Sequence, residues 1–222
     1  MPGISKIVAG LTLVLGLMFA VAPVEAQPAS VLDSATRTVD GMVTDPMFGP
    51  SRQILRDARA VLIVPHLIKG GFIFGAEGGD GVLLQRMGRK WSSPAFYTIG
   101  SASFGLQIGL EEAHFVMFIM SERALRAVEQ SKFTFGGEAG LTVITLGANA
   151  QGATSTNLTG DIIVWAASKG AYGGLTLQGS VLAPKTDANA SFYGRPVTVQ
   201  GILADQVSNP QATPLRRSLA AL

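Results

Sequence analysis

The sequence contains no cysteine, few charged side chains and only two histidines. With no Cys among its 222 residues, the chain has no disulfide, thiol nucleophile, iron–sulfur cluster, zinc ribbon or lipidated N-terminal cysteine. Charged residues make up 14% of the chain, well below the roughly 25% of ordinary soluble domains. The 17 Lys and Arg exceed the 15 Asp and Glu by two, so we expect no nucleic-acid partner.

The first 26 residues have the pattern of a secretory signal. Lys6 supplies a positive charge, residues 7–22 carry none, and Val24 and Ala26 occupy the small-residue positions of a cleavage site. The uncharged run is shorter than the about 20 residues that span a bilayer. We therefore predict a signal peptide over residues 1–26, with an uncleaved anchor as the alternative. The protein would be exported, and periplasmic, envelope-associated or secreted.

Glycine and apolar residues are abundant in what remains. Apolar residues make up 47% of the chain, and 20 of its 27 glycines lie between Gly70 and Gly179. Glycine within strands marks bulges and bends that curl a sheet toward closure. The sequence predicts an α+β fold: a curved, glycine-rich, mostly antiparallel sheet or barrel-like β core, with short helices at the N-terminus, middle and C-terminus. We expect one domain over residues 27–205 and a flexible tail over 206–222.

Apolar side chains at spacings of three and four predict several helices. The longest covers residues 30–45, where Gly41 weakens the last turn. Ser121 is placed to cap a helix that ends near Gln130. Shorter helices are predicted over residues 51–58, 187–192 and 197–203.

Strands are predicted from residue 60 onwards. Ala60–Val64 is an apolar run that Pro65 closes. The sequence Gly78-Gly79-Asp80-Gly81 suits a hairpin turn before the strand Val82–Met87, because glycine and aspartate tolerate positive φ. Phe115–Met120 is apolar at every position, which indicates a central strand covered on both faces.

No catalytic or metal-binding motif is present in the sequence. His66 and His114 lie 48 positions apart, without the spacing of a metal-binding pair on one helix. Neither a Gly-x-Ser-x-Gly elbow nor a phosphate-binding glycine loop occurs. We therefore predict no catalytic residue, no metal and no cofactor. A small enzyme that uses His66 or His114 remains an alternative.

Basic residues lie beside glycines and turns at the ends of apolar strands. They are Lys69, the group Arg86, Arg89 and Lys90, and Lys169; His66 lies close to the first of them. Gathered at one rim of a barrel-like core, these six side chains would bind phosphate or the anionic head groups of a membrane. Alternatively, they are the charges that commonly protect strand ends from aggregation.

Several ordered motifs of the chain resemble those of the SYLF domain family. They extend over roughly residues 30–204 and are highly specific as a set. The motifs are Ala60–Pro65, Lys69–Phe72, Gly81–Leu84, Trp91–Tyr97, Ser103–Gly109, Lys132–Gly136, Ser168–Gly174 and Asn189–Gly194.

The resemblance implies a lipid-binding domain. Eukaryotic members of the family bind phosphoinositides and membranes, and some bind or bundle actin; bacterial members are usually exported single-domain proteins. By motif, Lys69 of Lys-Gly-Gly and Lys169 of Ser-Lys-Gly are the best phosphate contacts. Ala166-Ala167 stands where the family often has Ser-Arg, so one basic group is missing.

Three functions follow as hypotheses. The first is a non-enzymatic, exported protein that binds anionic phospholipid head groups at a membrane surface. The second is an envelope structural or interaction protein that binds another protein, of the actin-binding type by resemblance. The third is the small enzyme using His66 or His114. We expect anionic phospholipids or a membrane surface as partners, and the sequence names no protein partner.

Overall fold

The structure is a computed structural model. It describes residues 27–44, 51–71, 74–104, 109–130, 132–137, 140–147, 160–168, 177 and 179–222. The predicted signal peptide and Lys169 lie outside the described residues.

Within the described residues, helices and strands have the following bounds. The helices are α1 (Pro28–Thr44), α2 (Ser51–Asp57), α3 (Glu122–Glu129), α4 (Thr186–Tyr193), α5 (Val199–Leu203) and α6 (Thr213–Ala220). The strands are β1 (Ala60–Gly71), β2 (Phe74–Met87), β3 (Lys90–Trp91), β4 (Ala95–Phe104), β5 (Gly109–Ile119), β6 (Phe133–Thr134), β7 (Val143–Gly147), β8 (Ile162–Ser168) and β9 (Val181–Pro184). This confirms the predicted α+β class.

The strands form one strongly curled, half-barrel sheet. Their order is β6-β9-β4-β2-β1-β5-β8-β7, and β3 pairs with the end of β2. Every pairing is antiparallel except that of β7 with β8. The mostly antiparallel sheet predicted from the glycine pattern is therefore confirmed.

Helices cover both faces of the sheet, because alternate residues of the central strands point to opposite sides. On one face, Leu62 and Met117 lie in a buried cluster with side chains of α3 and α5. On the other, Ile63 and Phe118 lie in a second cluster with side chains of α1, α2, α4 and α6. The second face, called the outer face below, carries the candidate site.

The predicted hairpin turn at Gly78–Gly81 was wrong. These residues lie inside β2 and pair with β1 and β4. Glycine is required here for close approach: a Cβ on Gly79 would lie 2.4 Å from the carbonyl oxygen of His66, and one on Gly81 would lie 2.6 Å from that of Ile63. A cluster of glycines is typical both of a turn and of a strand that lies unusually close to its neighbour, so the sequence alone does not separate the two.

The end of the first strand was also placed wrongly. β1 continues through Pro65, and a register shift lies between Ile63 and His66 toward β2 and between Val64 and Leu67 toward β5. A bulge of this kind accommodates proline in a central strand, because the missing N–H falls where the ladder is interrupted. The bulge presses the β1 backbone against the glycines of β2.

Two predictions in the middle of the chain are confirmed. Phe115 and Phe118 are both fully buried within β5, one on each face of the sheet. Helix α3 begins after Ser121, whose hydroxyl oxygen accepts the N–H of Ala124 at 3.1 Å.

Asp161 ties the start of α3 to the loop before β7. It accepts the Ser121 hydroxyl at 2.6 Å and the Thr142 N–H at 3.0 Å, and it pairs with Arg123 at 2.9 Å. The first two hydrogen bonds, with a contribution from Arg123, lower the pKa of Asp161 from its ordinary 3.8.

Asp161→Asn is expected to lower the free energy of unfolding by about 1–2 kcal/mol at pH 7. A carboxyl whose pKa is lowered by folding stabilises the protein above its ordinary pKa and loses that contribution as the pH falls through the lowered value. The difference between the two proteins should therefore shrink below about pH 4. Urea unfolding at several pH values measures it, with the exposed Asp40→Asn as control. A difference that is constant down to pH 2 would contradict this role.

Residues 206–222 were predicted to form a flexible tail, which the structure corrects. A short 3-10 helix, Pro210–Ala212, leads into α6, whose Leu215 and Leu219 are buried against the outer face of the sheet. The sequence shows only a short amphipathic turn here. Its partner surface is assembled from distant strands, so the pattern alone does not reveal it.

The Trp91–Pro94 motif anchors this C-terminal segment. The N–H of Ser93 donates to Asp205 at 2.9 Å, and the Nε of Arg216 donates to the carbonyl oxygen of Trp91 at 2.8 Å. Arg216 also pairs with Asp205 at 3.1 Å. The Trp91–Tyr97 motif, which carries part of the family resemblance, thus also holds the C-terminal segment in place.

No helix among the described residues is long and apolar enough to cross a membrane.

Candidate functional site

The structure does not gather the predicted basic residues at one rim. In the strand register, Lys69 lies opposite Glu77 of β2 near one end of β1, whereas Ala60 at the other end lies opposite Gln85, the neighbour of Arg86. Lys69 is nine positions along β1 from Ala60, or about 30 Å. The single rim was therefore wrong: the sequence shows that these residues are near strand ends but not which ends meet. The side chain of Lys69 and the whole of Lys169 are outside the described part of the molecule.

Arg86 was predicted to contact a head group, but its guanidinium caps a helix. Its Nη2 donates to the carbonyl oxygen of Leu55 at 2.5 Å, and its Nε donates to that of Ala58 at 3.0 Å. The guanidinium carbon lies 4.2 Å from the centre of the Trp91 ring. Burial lowers the pKa of Arg86, and Asp57 opposes this shift. The role of Arg86 is to join α2 to the sheet.

Arg89 and Lys90, by contrast, are exposed at the turn between β2 and β3. Met87 and Lys90 pair across this two-residue turn, and Gly88 has a φ of 63°, which favours glycine. Met87 precedes the turn with 42% of its surface exposed, although large apolar side chains elsewhere in this structure are mostly buried. The turn therefore presents one apolar and two basic side chains together.

Arg59 and Arg86 line the same cleft as Gly88 of this turn, and the exposed Arg56 directly precedes Asp57, which also lines it. We call the set the basic corner: Arg56, Arg59, Arg86, Arg89 and Lys90. Two acidic residues accompany it, Glu122, which pairs with Arg59 at 2.6 Å, and Asp57. Arg59, Arg86 and these two acidic residues line a cleft of about 330 Å³. The corner has a positive excess that the chain as a whole nearly lacks.

The two histidines meet in a different place, a cleft of about 360 Å³ between α1 and the outer face of the sheet. His66 reaches it from the bulge of β1 and His114 from β5. The Nδ1 of His66 lies 2.5 Å from a carboxylate oxygen of Glu112, and the ring of His114 lies 6.0 Å from that of Trp165. His66 therefore lies in the interior of β1 and not at either of its ends. Across the described residues, no group of three or more His, Asp or Glu side chains is placed to hold a metal ion.

Sequence reasoning missed several residues of both places. Arg56 and Arg59 belong to the basic corner and Met87 lies beside it, paired with Lys90, whereas Arg37 and Trp165 line the cleft. The available signals were weak: an apolar residue beside a Gly-Arg-Lys turn, and a glycine within a helical pattern. The pairing of β1 with β5, which joins the two histidines, has no signature in the sequence.

A family model described as "Las17-binding protein actin regulator" (Ysc84) matches residues 100–222, more than half of the chain. The chain belongs to this family. The match confirms the SYLF resemblance, and it includes residues 206–222, which lay outside the predicted domain.

Relatives of the Ysc84 family include proteins from yeast and vertebrates. Protein YSC84 of Saccharomyces cerevisiae is 32% identical over 171 residues, covering 75% of this chain and 36% of its own length. LAS seventeen-binding protein 3 of the same species is 30% identical over 171 residues, covering 75% and 37%. SH3 domain-containing YSC84-like protein 1 of Xenopus laevis is 34% identical over 136 residues, covering 60% and 41%. The chain thus spans about two fifths of these curated relatives.

Proposed function

We propose that this protein is a non-catalytic, exported lipid-binding protein whose basic corner contacts anionic phospholipid head groups at an envelope membrane. One observation carries the proposal: Met87, Arg89 and Lys90 are exposed together at the β2–β3 turn. Cations attract an anionic surface, and an adjacent apolar side chain enters the interfacial layer of the membrane. Arg56, which is exposed and directly precedes Asp57 of the adjoining cleft, adds a further charge.

Arg89→Ala/Lys90→Ala is expected to weaken binding to anionic vesicles by about 30-fold. Each basic residue at an anionic surface contributes about 1 kcal/mol, and the loss should shrink at high salt because the interaction is screened. Flotation of residues 27–222 with vesicles containing phosphatidylglycerol, cardiolipin or a phosphoinositide measures the effect. Neutral vesicles and the charge-matched Lys132→Ala/Arg195→Ala, two exposed sites elsewhere, are the controls.

Two results would contradict the proposal: no binding to any anionic vesicle, or binding that the basic-corner variant leaves unchanged. A parallel variant, Lys69→Ala/Lys169→Ala, tests the residues that the sequence motifs favoured. If only this second variant lowers binding, the lipid site includes Lys69 or Lys169 and the basic corner is not involved.

The family description favours a second candidate, a protein-binding module. The model's description names Las17 binding and actin regulation, and one relative is named a LAS seventeen-binding protein. We propose that the alternative partner of this chain is a protein of the actin-regulatory type. Co-sedimentation with filamentous actin tests this candidate directly. Pelleting with actin in the absence of vesicles supports it, and recovery in the supernatant contradicts binding to filaments.

A further inference from the structure

The cleft between α1 and the sheet has a feature that neither the fold nor the proposed function requires. Gly41 lies inside α1, at the wall of the cleft, and a Cβ placed on it would meet no atom within 4 Å. Its φ is outside the left-handed region. Glycine in a helix is less favourable than alanine. Neither close packing nor backbone conformation therefore accounts for glycine at this position. Its lack of a side chain keeps this part of the cleft open.

The walls of the cleft differ in chemistry. Arg37 of α1 is exposed and donates one hydrogen bond, to the Ser34 hydroxyl at 2.8 Å. A guanidinium presents five N–H donors in a plane, a shape that matches a carboxylate or phosphate. The nearby Glu112 also lines the cleft, and one of its carboxylate oxygens is engaged by the Nδ1 of His66 at 2.5 Å. Arg37 therefore supplies a positive charge in the lining of the cleft.

The other part of the lining is apolar. Met42 of α1 and the ring of Trp165 from β8 are both nearly buried and both line the cleft. A volume of about 360 Å³ suits a small molecule, and apolar walls with a few polar groups are typical of such sites. The cleft therefore combines a charged part and an apolar part.

We infer that this cleft binds a small amphiphilic anion: a carboxylate or phosphate attached to a planar or aliphatic group. The anionic end lies against Arg37, and the apolar end lies against Trp165 and Met42. Such a ligand is either a free soluble molecule or the end of a membrane lipid. The inference rests on the α1 cleft alone and is independent of the basic corner.

The test is isothermal titration of the protein, purified after expression of the full chain, with phenyl phosphate and with octanoate. Benzyl alcohol, which lacks the charge, and inorganic phosphate, which lacks the apolar part, are the matched probes. Saturable binding of either amphiphilic anion, at least ten-fold tighter than that of both matched probes, is the expected result. Vesicles containing phosphatidic acid form a separate arm, and competition by phenyl phosphate for those vesicles would identify a lipid source.

Three variants locate the binding. Gly41→Phe fills the cleft and Arg37→Gln removes its cation, so each should weaken binding at least ten-fold. Gly41→Ala is the control: it should bind as the parent does, with a Tm raised by about 2–4 °C from the better helix former. A Tm for each variant separates lost binding from lost folding, and Arg37→Gln suffices if Gly41→Phe does not fold.

Several outcomes would overturn the inference. These are the absence of saturable binding by either anionic probe, binding that survives in folded Gly41→Phe, and inorganic phosphate binding as tightly as phenyl phosphate. None of them affects the basic corner, whose flotation result depends on Arg89 and Lys90.

Discussion

Gly79→Ala and Gly81→Ala are each expected to lower the free energy of unfolding by about 3 kcal/mol. An alanine Cβ at either position would lie 2.4–2.6 Å from a carbonyl oxygen of β1, much closer than side chains approach backbone. The obstacle is the backbone of a central strand, so relief requires that β1 and β2 separate at the bulge. Inserting atoms into a packed core typically costs 1–3 kcal/mol, and a rigid neighbour places these sites at the upper end.

Gly78→Ala is the matched control, because it lies in the same strand and its Cβ would come no closer than 3.9 Å to another atom. That variant should change stability by less than about 1 kcal/mol. Urea unfolding of the three variants decides the question. Equal losses at Gly78 and Gly79 would show that glycine is needed for chain flexibility rather than for close approach, and would contradict this account of the bulge.

Removal of residues 206–222 is expected to abolish cooperative unfolding. The truncation exposes the outer-face cluster that Leu215 and Leu219 cover, and it removes Arg216 from Asp205 and Trp91. Loss of one buried leucine typically costs 2–5 kcal/mol, and domains of this size have a total stability of only about 5–15 kcal/mol. Circular dichroism during heating and near-ultraviolet spectra measure the result.

Leu215→Ala alone should lower the free energy of unfolding by about 2–5 kcal/mol, since Leu215 has no exposed surface. Arg217→Ala lies on the exposed side of the same helix and should change stability by less than about 0.5 kcal/mol. If the truncated protein melts cooperatively near the parent's Tm, residues 206–222 do not stabilise the domain and are a tail as first predicted.

The elements predicted correctly depend on interactions within a few residues. Helix α3 follows from Ser121, because a cap acts on an N–H three residues away. Strand β5 follows from an unbroken apolar run, since only a strand covered on both faces buries every residue. Helix α1 follows from its apolar stripe, and its observed bounds differ from the prediction by two residues at the start and one at the end.

The elements predicted wrongly depend on what another strand does. Gly79 and Gly81 predicted a turn because glycine occurs both where the backbone needs an unusual conformation and where a neighbouring strand leaves no space for a Cβ. The sequence alone does not distinguish these two reasons. Pro65 read as the end of a strand because the bulge that accommodates it exists only in the pairing of β1 with β2 and β5. Leu215 read as part of a fraying end because its partners are contributed by distant segments.

The candidate sites show the same division. That Arg89 and Lys90 are surface charges at a turn was apparent from Gly88 and the residues around it. That Arg86 caps α2, although it is only three positions from Arg89, depends on carbonyl groups of Leu55 and Ala58. Which basic residues lie at the same end of the sheet depends on the directions of the strands. Those directions follow from how the strands pair and are not visible in the sequence.

The sequence by itself determined the family, the α+β class, the abundance of strand glycines and the residue types available for binding. Those properties rest on composition, on short-range periodicity and on ordered motifs. The tertiary structure alone decided that Lys69 and Arg86 lie at opposite ends, that His66 and His114 share a cleft beside Gly41, and that α6 covers the outer face. The reason is physical: such contacts depend on the direction and the register of the strands. A shift of one residue in the register moves every side chain of a strand to the other face of the sheet.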